Sequence, residues 1–275
     1  MECTKIIPLL TEPQLHGGDP AHAFHVVCPS IPGTTTTAAA AVTATVLWDR
    51  DAVHLYSNSF DKHRVFISMY NVLTYVCSLV AAGYGYSSHP SQTAFDQQAC
   101  AEVFHTLMTE ELEYSQYFLQ GGDWGSVVTS FMAALPGAAQ HVLGLHLNMV
   151  PALPPVQKGF VSLFKLIVSV FMPWGFYTPL EREGLLQTPY NMFIETGYFH
   201  EQSTRPLTLA YGLSDSPVGL LAWIVEKFYQ WSDCKGDLYS RFTRDELLTN
   251  FMIYWTTNSA GMNVTAGGND LLDTY

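Results

Sequence analysis

Short apolar runs alternate with amphipathic stretches through the first half of the chain. Residues 23–28 (AFHVVC) stop at Pro29 and read as a buried strand. Across 92–112, Phe95, Ala99, Val103, Phe104, Leu107 and Met108 recur at threes and fours, which predicts a helix with one apolar face. Residues 117–120 predict a second strand. Val127, Val128, Phe131, Met132 and Leu135 then line a second helix that Pro136 and Gly137 stop. Residues 142–147 predict a third strand. Strands alternating with helices imply parallel pairing through right-handed crossovers, hence an open α/β sheet.

After 151–155 (PALPP) the pattern becomes helical without strands. A break at 150/151 therefore separates a core over 1–150 from a helical unit over 151–275. Residues 160–176 are almost wholly apolar, with Lys165 among them, and predict a helix buried against something large. Ser216 followed by Pro217 is an N-cap with proline in the first turn, and Val218, Leu221, Ala222, Val225 and Phe228 continue one face. Thr243 with Glu246 is a capping box that opens a last helix carrying Leu247, Leu248, Phe251, Met252 and Trp255.

One interval fits neither pattern. From 34 to 83 the chain begins TTTTAAAAVTATV and continues without periodicity, so it reads as an insertion in the core. Its removal would join 29–33 (PSIPG) to 84–88 (YGYSS) as one turn and is expected to improve protease resistance. Within it, 65–82 carries no charge and is just long enough to span a bilayer, although a buried helix or strand is the commoner meaning of such a run.

Composition narrows the function. Twelve Lys+Arg against twenty-four Asp+Glu give a net charge of −12, which excludes a dedicated nucleic-acid binder. Charged residues make up 13% against a usual value of about 25%, and hydrophobic residues 48%, so the chain is globular rather than disordered. The five cysteines, at 3, 28, 77, 100 and 234, form no CxxC pair. They read as buried thiols rather than as a disulfide framework or zinc site.

The candidate chemistry sits at Asp123. It stands where a strand turns into a helix, with Gly121 and Gly125 two residues away on either side, as a nucleophile elbow requires. A carboxylate there could displace at a saturated carbon and form a covalent ester, with the Trp124 backbone N–H facing the ester oxygen. The alternative is that Asp123 merely caps the helix.

Around these residues the chain resembles the microsomal epoxide hydrolases, including the juvenile-hormone enzymes, of the α/β-hydrolase superfamily. The resemblance rests on 5–11 (KIIPLLT), 24–33 (FHVVCPSIPG), 120–126 (QGGDWGS), 144–149 (GLHLNM), 197–198 (GY), 213–220 (LSDSPVGL), 226–228 (EKF), 247–250 (LLTN) and 254–257 (YWTT). It covers nearly all of the chain outside 34–83 and the atypical tail after 258.

The resemblance implies a partial α/β-hydrolase fold with a helical cap. It makes Asp123 the nucleophile, Trp124 a backbone oxyanion donor and Tyr198 the cap proton donor. The substrate would be a small apolar epoxide opened to a vicinal diol, with no cofactor. Association with the endoplasmic-reticulum membrane and a role in detoxification or lipid-epoxide metabolism are implied likewise. Nothing in the chain matches the family's oxyanion loop, second cap tyrosine, triad acid or triad histidine, so the chain as given is expected to be inactive. A non-catalytic truncated product and a haloalkane-dehalogenase-like hydrolase, which also has Trp after Asp, are the alternatives.

Other motifs carry less. The stretch His16, Gly17, Gly18, Asp19 precedes a strand where an oxyanion loop should follow one. His141, His146 and His200 fall at a helix end, in a strand and in the cap, and Asp215 reads as part of a helix start. Asn263 with Thr265 matches a glycosylation acceptor.

Overall fold

The structure, a computed structural model, describes residues 5–29, 44–45, 65–69, 96–148 and 159–259. The chain opens with a short helix α1 (Ile7–Thr11) and a strand β1 (His25–Pro29). Strands β2 (Ala44–Thr45) and β3 (Val65–Met69) follow, then helix α2 (Gln97–Thr106), β4 (Tyr117–Gly121), helix α3 (Trp124–Ala134) and β5 (Val142–Leu147).

These strands form one five-stranded sheet in the order β2-β1-β3-β4-β5, parallel except for β2 against β1. The sheet expected from apolar runs had only three strands. This is corrected: β2 and β3 both come from the interval 34–83, and β3 lies between β1 and β4, with Val27 opposite Ile67 and Ile67 opposite Leu119. An uncharged run suits a strand hydrogen-bonded on both edges inside a parallel sheet. Residues 65–69 are thus a strand, while 70–82 and the break at 150/151 lie outside the described residues. Among the described residues no helix is long and apolar enough to cross a membrane.

Helices α2 and α3 pack on the sheet and on each other. Their shared core holds Val27, Cys100, Phe104, Met108, Tyr117, Leu119, Val128 and Met132, all buried. Cys100 is a buried free thiol, as expected, and burial pushes its ionisation far up; Cys234 is buried too, whereas Cys28 is only half-buried.

At the edge of this core, two phenols face imidazoles. The Tyr114 hydroxyl lies 3.0 Å from His25 Nδ1, and that of Tyr117 lies 2.6 Å from His105 Nδ1. A neutral imidazole accepts such a phenol proton; a protonated one cannot. Burial lowers the pKa of His25. For His105 burial again leads, helped by His141 and opposed by Glu110. The unfolded chain therefore binds more protons than the folded one just below the ordinary histidine value of about 6.5. Stability from these pairs is present in full above that value and is lost as pH falls through the folded-state values. Urea midpoints are expected to drop between pH 7.5 and pH 5, and a His25→Gln/His105→Gln double variant should drop less. Parallel profiles would exclude these histidines as the source.

Residues beyond 159 form helices α4 (Phe160–Phe171), α5 (Pro179–Ile194), α6 (Gly197–Thr204), α7 (Pro206–Asp215), α8 (Pro217–Trp231) and α9 (Arg244–Thr257). Their core is Leu213, Leu220, Ile224, Phe228, Leu247 and Phe251. The Thr243–Glu246 capping box is formed in both directions. Helix α4 departs from its expected burial. Phe160 is 81% and Phe171 77% exposed, and in α5 Phe193 is 85% exposed, so these helices display apolar side chains that the described residues do not cover.

Candidate active site

Strand β4 ends at Gly121 and helix α3 begins at Trp124, so the chain reverses within two residues. This tight turn depends on missing side chains. A Cβ at Gly121 would lie 2.3 Å from the Gly125 carbonyl oxygen and 2.4 Å from Thr129 Oγ1, so only glycine lets strand and helix approach this closely. The helix start is pinned in turn: Ser126 N–H and Oγ both donate to the Asp123 carbonyl, at 2.9 and 2.6 Å, and Thr129 Oγ1 donates to the Gly125 carbonyl at 2.7 Å.

Asp123 itself takes φ 51° and ψ −127°, a conformation that costs about 1–3 kcal/mol for a non-glycine residue. It occupies the N-cap position, yet its carboxylate makes no capping bond to the helix. Ordinary N-caps have extended backbone and accept from the first turn, as Asp96 does from Ala99 N at 2.9 Å. Asp123 does neither. Asp123 is thus held, half-buried, between the end of β4 and the positive end of α3, where the helix dipole favours an anion. Trp124 is the first helical residue, whose N–H has no intrahelical acceptor, and its indole Nε1 is buried with no hydrogen-bond partner among the described residues.

Tyr198 lies in the helical unit, on α6, and is half-buried. Its ring packs edge-on against Trp231 of α8, with centroids 5.2 Å apart. The Lys227 ammonium stands 5.2 Å from the Tyr198 ring centroid, 5.5 Å from that of Trp231 and 5.7 Å from that of Trp223. Sequence reasoning missed this cluster, although its signal was visible: 223, 227 and 231 are spaced by one helical turn each and so share a face.

The structure thus sets Asp123 and Trp124 at the turn from β4 into α3 and Tyr198 on α6 of the helical unit. His141 Nδ1 bonds the Ser115 carbonyl at 2.8 Å, His146 lies in β5, and His200 is exposed on α6. His16 and Gly17 close a short 3-10 turn ahead of β1. Asp215 is corrected: it ends α7, and the cap of α8 is Ser216, whose Oγ accepts from Gly219 N at 3.0 Å. Asn263 lies outside the described residues.

Comparison with known proteins turns this elbow into a lineage. Over 267 residues the chain is 35% identical to Epoxide hydrolase 1 of Sus scrofa, covering 94% of this chain and 46% of that protein. The curated relatives that the chain resembles are epoxide hydrolases. The juvenile hormone epoxide hydrolase of Bombyx mori is 36% identical over 186 residues, which is 64% of this chain and 39% of that one. Among solved structures, an enantioselective epoxide hydrolase mutant from Aspergillus niger superposes with a TM-score of 0.52 at 29% identity, over 69% of this chain and 43% of that one. The fold is therefore a partial α/β-hydrolase fold. No family model matches. The chain spans less than half the length of the curated relatives it matches.

Proposed function

We propose that the chain carries the ring-opening half of epoxide hydrolysis. A carboxylate oxygen of Asp123 attacks an epoxide carbon, the ring C–O bond breaks, and the departing oxygen takes the phenol proton of Tyr198. The product is a hydroxyalkyl ester of Asp123, and the tyrosinate regains its proton from solvent. The observation that carries this reading is the strained, non-capping carboxylate at the elbow. Kinship with epoxide hydrolases favours it over a dehalogenase.

Cleaving that ester needs a base to activate water and donors for the tetrahedral oxyanion. The Trp124 N–H is one such donor. Of the histidines, His25, His105 and His141 are engaged elsewhere, with Tyr114, Tyr117 and Ser115. The ester is therefore expected to accumulate on this chain rather than turn over. A small apolar epoxide as substrate, and residence at the endoplasmic-reticulum membrane in detoxification or lipid-epoxide metabolism, are proposed from kinship with the mammalian enzymes.

Intact-mass measurement after incubation with a reactive epoxide tests the reading. One adduct, mapping to Asp123 and absent from Asp123→Ala, is the expected result. An adduct on another residue, or diol released equally by Asp123→Ala, would overturn it.

A further inference from the structure

Lysine is almost never buried unless it is paired, and Lys227 is only 6% exposed. It is ion-paired with the adjacent Glu226, whose side chain is 57% exposed. The other three sides of the ammonium are aromatic: Trp223 one turn before it, Trp231 one turn after it, and the Tyr198 ring brought in by α6. Trp231 is itself anchored, its indole N–H donating to Glu195 Oε2 at 3.3 Å. Packing alone would be met by an apolar chain of the same length, such as methionine. A charge at this position instead acts on the π-systems around it, and of the three rings only that of Tyr198 bears an ionisable proton.

We infer that Lys227 is a positioning residue for Tyr198: its ammonium clamps the phenol ring between α6 and α8 and makes the hydroxyl a stronger donor to the oxygen of an opening epoxide. This rests on the reading of Tyr198 as the proton donor. As the phenol gives up its proton, negative charge spreads into the ring, and a cation held over that ring stabilises the charge as it forms. Among the described residues, the carboxylates bonded to this cluster are Glu226 and Glu195. The first is exposed and bonded to the ammonium itself; the second is held by Trp231. The ammonium is buried 5.2 Å from the ring centroid, while its partner Glu226 is exposed to solvent screening, so the cation outweighs it at Tyr198.

The test compares Lys227→Met, which keeps length and loses charge, with Lys227→Arg, which restores it. Two readouts are taken on the full chain. The first is phenol ionisation followed by ultraviolet difference absorbance, with Tyr198→Phe identifying the Tyr198 component. Lys227→Met is expected to move that component up by about one pH unit, and Lys227→Arg to return most of it. The second is the rate of adduct formation on Asp123 with a reactive epoxide, expected to fall about tenfold in Lys227→Met, to recover in Lys227→Arg, and to fall about 10²-fold in Tyr198→Phe. Unchanged Tyr198 ionisation in Lys227→Met would overturn the inference, even with Tyr198→Phe slow and the donor reading intact. A Tyr198→Phe rate equal to wild type would overturn the donor reading, and with it the inferred role of Lys227 in ring opening.

Discussion

Gly121→Ala is expected to cost about 3 kcal/mol or more and to leave little folded protein. The added Cβ would stand 2.3 Å from the Gly125 carbonyl oxygen, an atom of the helix backbone that cannot rotate aside. Retreat of the strand is barred as well. Gly121 is opposite Met69 on one side and Leu147 on the other, and its carbonyl accepts from Asn148 N at 3.2 Å. Moving it breaks two ladders; moving the helix start disturbs the bonds that fix Asp123. Gly184→Ala is the control, since nothing lies within 4 Å of a Cβ there and the site is inside α5. It should stabilise by about 0.5–1 kcal/mol. Urea denaturation of the three proteins measures both effects, and a Gly121→Ala midpoint equal to wild type would mean that the elbow is looser than its geometry.

Deleting 34–83 is expected to destroy the fold, the reverse of what the sequence pattern suggests. The deletion removes β3 and leaves the facing edges of β1 and β4 without partners, where Val27 and Leu119 are buried in the core. Each buried backbone group left unpaired costs about 1–3 kcal/mol. A handful of them is enough to match the whole stability of a typical domain, about 5–15 kcal/mol. The deleted chain should be insoluble, and a milder break, Ile67→Pro, should lower the denaturation midpoint by removing one ladder donor. A soluble deletion variant with an unchanged midpoint would show that β1 and β4 do not need β3.

Why the sequence misleads at β3 is physical. A strand inside a parallel sheet has no in-out alternation to display, and its partners lie far away along the chain, so Val65–Met69 carries no local mark beyond being apolar. Strands β1, β4 and β5 were legible because helical periodicity and Pro or Gly punctuation frame them. The elbow was legible for a stronger reason: two glycines flanking Asp123 answer a steric demand that few other structures make. The capping box at Thr243 and Glu246 is local chemistry and was read correctly. By contrast, apolar content in α4 predicted burial, but whether a face is covered depends on what packs against it. The Lys227 cluster depends on α6 meeting α8, a tertiary event that spacing on one helix only hints at.

The long excursion between neighbouring strands also sets the order of assembly. In the helical unit, α7, α8 and α9 pack on their sequence neighbours, so closing each contact costs little chain entropy. The sheet must join β1 to β3 across roughly forty residues and β3 to β4 across roughly fifty before its own core forms, and such non-local pairing is slow. Helices should therefore gather while the strand edges are still open, and the sheet is the stage at which a nascent chain is most exposed to pairing with the wrong neighbour.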